Sequence, residues 1–115
     1  MNFFQKKYKV YYAIENSYLN YEDSKSVNNL EEVVSLLSEI RGDYFIGVYS
    51  NYDYARVLIK WNTRKKCYNF EVSHGDYSLF KNVLKQEALE LLEKFDDVVK
   101  DSDKFGFAED QARWD

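Results

Sequence analysis

Three runs of alternating apolar residues follow one another through the middle of the chain, separated only by short polar breaks. Tyr44, Ile46 and Val48 share one face of the first run, Val57, Ile59 and Trp61 of the second, and Tyr68, Phe70 and Val72 of the third. A period of two sends successive side chains to opposite faces, so each run reads as a half-buried strand. The breaks Asn51-Tyr52-Asp53 and Asn62-Thr63-Arg64-Lys65-Lys66 are rich in turn formers and short enough to be hairpin connections. The three strands are therefore expected to form an antiparallel meander.

The flanking segments are read by the same periodicities. Tyr8, Val10, Tyr12 and Ile14 alternate onto one face and predict a further strand. Residues 15–28 are polar and predicted to be a loop, which carries Tyr18 and Tyr21 with no periodic partner. Asn29 followed by Glu32 marks a helix start, Leu30, Val33, Val34, Leu37 and Ile40 keep a period of 3.6, and Gly42 ends it. Asp76 is the expected N-cap of a last helix whose apolar stripe runs from Phe80 to Val98, with a break near Lys85-Gln86. The predicted order is β-α-β-β-β-α: an α+β fold with an antiparallel sheet of about four strands and two amphipathic helices on one face. A length of 115 residues makes 1–115 one domain. Phe105, Phe107 and Trp114 predict that the acidic tail 101–115 docks.

The residue types that carry chemistry are sparse. His74 is the single histidine, and Ser73-His74-Gly75-Asp76 is read as a strand-to-helix turn. Cys67 is seven residues upstream on the same strand, about 20 Å away, so no nucleophile–base pair is expected. One histidine and one cysteine do not make a tetrahedral zinc site. Asp101-Ser102-Asp103-Lys104-Phe105-Gly106 resembles the start of a helix–loop–helix calcium loop, but Phe105 and Ala112 stand where oxygen ligands belong. The four glycines, at 42, 47, 75 and 106, are too dispersed for a phosphate-binding loop. No catalytic, metal or cofactor site is predicted, and the chain is expected not to be an enzyme. No signal peptide and no apolar run of membrane-spanning length are read, which predicts a cytoplasmic protein with no membrane contact.

From residue 29 onward, the predicted α-β-β-β-α order is similar to that of the double-stranded RNA-binding domain. That resemblance implies a lysine cluster opening the last helix. Here Tyr77-Ser78-Leu79-Phe80-Lys81 carries one lysine, and the family is not assigned.

Charge and tyrosine point instead to binding. Residues 1–85 hold 12 Lys/Arg against 10 Asp/Glu, whereas residues 86–115 hold 4 against 10, balances of +2 and −6. Glu90, Glu93 and Asp97 are predicted on the outer side of the last helix, with Asp96, Asp101 and Asp103 continuing the charge. Eleven tyrosines include five that inward alternation does not absorb, Tyr18, Tyr21, Tyr49, Tyr52 and Tyr54, and surface aromatics of this kind are enriched at protein interfaces. The expected site is Glu90, Glu93, Asp96, Asp97 and Asp101 together with Tyr49, Tyr52 and Tyr54. The expected function is a non-catalytic inhibitor that blocks a basic protein by nucleic-acid mimicry. Two forms fit: an immunity protein against a nuclease toxin, or a phage-type, anti-CRISPR-like inhibitor of a nucleic-acid-handling defence enzyme. The alternative is a single-stranded nucleic-acid binder using exposed tyrosines beside Arg56 and Lys60. Direct nucleic-acid binding is the less favoured of the two, and a homodimer stays open.

Overall fold

Alternation becomes strand wherever it was legible, and also in two places where it was not. The computed structural model describes residues 8–15, 17–50 and 55–109. Within them seven strands form one antiparallel sheet: β1 Tyr8–Ile14, β2 Ser17–Leu19, β3 Lys25–Val27, β4 Phe45–Ser50, β5 Arg56–Asn62, β6 Cys67–Ser73 and β7 Ser78–Val83. The order across the sheet is β2-β1-β4-β5-β6-β7, with β3 lying beyond β2 along the same edge of β1. Three helices accompany it: α1 Glu31–Leu36, α2 Lys85–Glu93 and α3 Phe95–Lys100.

Three expectations are corrected by this architecture. The sheet has seven strands rather than about four. Two of the extra strands come from the 15–28 segment, which folds back along β1 as β2, a 3-10 turn at Tyr21–Asp23, and β3. The third comes from 78–83, expected to be the start of the last helix. There Leu79, Lys81 and Val83 turn toward the core side while Ser78, Phe80 and Asn82 turn away, as their pairing with β6 requires. A short apolar run fits both periods, and pairing with β6 decides for strand. Asp76 consequently caps no helix. Gly75 and Asp76 form a two-residue hairpin turn, closed by the His74 amide donating to the Tyr77 carbonyl at 2.9 Å, with Gly75 at φ 86°. The helix begins at Lys85, where the break in periodicity was read. With 78–83 extended, the element-order resemblance to the double-stranded RNA-binding domain is lost.

The helices pack on one face of the sheet. Val10, Ile46, Val48, Val57, Ile59, Phe70 and Val72 form one core with Val33 and Leu37 of the first helical segment and Ala88, Leu91, Phe95 and Val98 of the last two. Asn29 Oδ1 accepts from the Glu31 amide at 3.1 Å, which satisfies one orphan donor at the start of α1. The α1 turn tightens to 3-10 at Leu37–Glu39, and the Tyr68 hydroxyl donates to the Leu37 carbonyl at 2.9 Å, tying that turn to the sheet. Beyond α3, a 3-10 turn at Ser102–Phe105 returns the chain to the sheet edge. Phe107 is buried there, and Phe80 and Ala108 exchange both backbone hydrogen bonds. Trp114 lies outside the described residues. Among the described residues no helix is long and apolar enough to cross a membrane.

Candidate functional site

Among the described residues the helices cover one sheet face and leave the other bare, which gives two unlike surfaces. The expected site residues are divided between them.

On the helical side, α2 ends at Glu93 and α3 begins at Phe95, so the chain changes direction at Lys94. That bend and the start of α1 enclose a groove of about 730 Å³. Tyr8, Leu30, Val34, Leu89, Leu92 and Phe95 give it an apolar floor, and Glu31, Glu93, Asp96 and Asp97 line it with carboxylates. Val34 is 41% exposed, so the one residue of the α1 stripe that misses the core is open to solvent within this groove. Asp96 Oδ1 accepts a hydrogen bond from the Tyr8 hydroxyl at 3.2 Å, and the Tyr8 ring meets Phe95 edge-on at 5.3 Å. Glu90, Glu93, Asp97 and Asp101 are all exposed. Glu93, Asp96 and Asp97 therefore share the groove, whereas Glu90 and Asp101 carry the charge along the same layer without lining it.

Tyr49 is not with them. It alternates with the core residue Val48 on β4 and emerges on the opposite, helix-free face. There it joins Tyr11 at 6.0 Å and Tyr21 at 5.3 Å between ring centroids. Tyr11 lies over Gly47, its cross-strand partner, where a Cβ would fall well inside the van der Waals radius of the ring. Only glycine admits that approach. Arg56, paired with Tyr49 across β4 and β5, enters the same cluster. Burial opposes its charge, but Tyr11, Tyr49 and the Glu71 carboxylate outweigh that and raise its pKa. Burial likewise pushes the Tyr11 and Tyr49 hydroxyls up, with Arg56 partly offsetting the effect. Tyr52 and Tyr54 lie outside the described residues.

Tyr18 and Tyr21, grouped in the sequence with the surface tyrosines but left out of the expected site, belong to this second surface. Pairing of Tyr18 with Ala13 and contact of Tyr21 with Tyr11 place both on the helix-free face. The missing signal was the pairing of 17–27 with β1, since three-residue strands are too short to show a period.

The expectation that His74 has no nucleophile beside it is also corrected. Its Nε2 lies 3.0 Å from Ser102 Oγ, across 28 residues of chain. The ring stacks on Tyr77 at 5.1 Å. Ser102 is only 3% exposed, and neither His74 nor Ser102 lines the groove, so the contact clamps the β6–β7 turn to the turn after α3. Cys67 is buried, and burial pushes its thiol up, away from the reactive thiolate. Among the described residues no three His, Cys, Asp or Glu side chains converge as metal ligands would. No family model matches the chain, and no curated protein or solved structure is significantly similar to it.

Proposed function

We propose that this chain is a non-catalytic binding protein that occludes a basic partner through its helical face. The reading rests on one observation: the groove between α1 and the α2–α3 bend combines an apolar floor with Glu93, Asp96 and Asp97 at its rim. An apolar floor anchors a partner side chain by excluding water, and rim carboxylates attract and orient cationic groups. Carboxylates spaced along one layer can occupy positions where a nucleic-acid-handling protein holds phosphates. An immunity protein against a nuclease toxin and an inhibitor of a nuclease-type defence enzyme are the two forms that fit such a surface. The occupant of the groove is then a basic segment with at least one apolar anchor.

The test is a pull-down from the native host using wild type and the exposed-surface variant E90K/E93K/D97K, each with and without nuclease treatment. A basic protein retained by wild type, lost by the triple variant and indifferent to nuclease is the expected result. Equal retention by both proteins would remove the acidic layer from the interface.

A further inference from the structure

The helix-free face takes no part in the binding role proposed for the helices. Strand register orders its side chains. Lys9, Tyr49 and Arg56 form one cross-strand row, and Tyr18, Ala13, Phe45 and Lys60 another. Between them lie Tyr11, Gly47, Leu58 and Glu71. The sheet strands thus bring three cations and one carboxylate to a face whose other large side chains are Leu58 and aromatic rings. Tyr18 is 70% and Tyr21 57% exposed at its β2 edge. Arg56 is half-buried on this face, where its side chain hydrogen-bonds Tyr11 and has Tyr49 and the Glu71 carboxylate nearby. A guanidinium held among tyrosines on this face can pair with an arriving oxyanion, since charge-assisted hydrogen bonds of that kind are the strong ones.

We propose that this face binds single-stranded nucleic acid, with a backbone phosphate at Arg56 and unpaired bases stacked on Tyr18 and Tyr21. The inference is independent of the protein-binding role proposed for the helices. The rings select the ligand: unpaired bases offer π-faces for stacking, whereas a duplex has already stacked them. An acidic protein would satisfy the cations and leave the exposed rings unused. A second copy is disfavoured by charge in one mode and by geometry in the other. Two such faces placed together would oppose Lys9, Arg56 and Lys60 to themselves, and this face against another copy's helices would make a head-to-tail contact with no built-in closure. The acidic layer does not forbid an anionic ligand here. Its outer carboxylates are separated from this face by a helix of about 10 Å diameter and by the sheet, beyond the ~8 Å Debye length at physiological salt.

Fluorescence anisotropy of a labelled oligothymidine strand, titrated with the full chain across a salt series, tests the proposal. Wild type should bind. Arg56→Gln should weaken binding about tenfold and flatten the slope of log affinity against log salt by roughly 0.7, the share of one phosphate contact. Tyr21→Ala, at an exposed ring, should weaken binding about tenfold with the salt slope unchanged. Lys9→Gln, also at an exposed side chain, should flatten the slope and guards against misfolding of the Arg56 variant. E90K/E93K/D97K should bind the strand at least as well as wild type. The proposal is overturned if wild type gives no anisotropy change, or if the Arg56 and Tyr21 variants bind like wild type. It is equally overturned if a duplex or polyglutamate competes as well as the unlabelled strand. Self-association in sedimentation that Arg56→Gln abolishes would assign the face to a second copy and overturn it too.

Discussion

Gly47 and Tyr11 show how a single missing Cβ organises one side of this protein. The Tyr11 ring occupies the space above Gly47 and supports Tyr21 and Tyr49 in turn. Gly47→Ala should displace that ring, lower stability by about 1–3 kcal/mol as overpacking does, and change the near-ultraviolet circular dichroism of the tyrosines. Tyr49, expected from sequence to be a free surface ring, is instead half-buried among other rings. Tyr49→Ala should therefore cost about 1 kcal/mol or more in a urea melt, the usual worth of such aromatic pairs beyond area. The hydroxyls carry a further consequence. Tyr11, Tyr49 and Tyr68 are raised above 10.0 chiefly by burial. The unfolded chain ionises first as pH rises through that value, so stability from these groups is intact below pH 10 and falls above it. Thermal melts should be flat with respect to these groups near neutrality and drop beyond pH 10, together with delayed phenolate absorbance.

At the scale of elements, the turn after α3 is the piece whose sequence most invites a wrong function. Asp101, Asp103 and Phe105 occupy the alternate positions a calcium loop uses. Yet Ser102 is turned inward to His74 and Phe105 packs on the core. Calcium or a chelator should leave the melting temperature unchanged, and a chelator-induced fall reversed by calcium would contradict that. Ser102→Ala should remove one buried hydrogen bond, about 1 kcal/mol, and speed amide exchange at Phe80 and Ala108, which the same turn holds to β7. Cys67→Ser and His74→Gln should still bind a protein partner, since both side chains lie away from the acidic groove. The bend at Lys94 matters differently, because it brings the Glu93 and Asp97 carboxylates to one groove. Charge reversal at Glu90, Glu93 and Asp97 should slow association with a basic partner most at low salt, measured by stopped-flow, while leaving dissociation nearly untouched.

For the whole molecule, the sequence by itself determined whatever depends on local periodicity. The α+β class, the β4–β5–β6 meander, the helix start near Asn29, the break before α2 and the one-sided placement of the helices were legible for that reason. An alternating run has only one face to bury, and the helical stripes supply what covers it. The concentration of acid after residue 86 was equally plain. What only the tertiary structure decided involves partners distant in sequence. Residues 78–83 fit both periods until β6 claimed them as a strand, and 17–27 show no period because each strand pairs β1 over three residues. Tertiary pairing also divided the anticipated site, sending Glu93, Asp96 and Asp97 to one face and Tyr49 to the other. The side of a sheet on which a residue emerges is fixed by register, and register is set between strands, not within them.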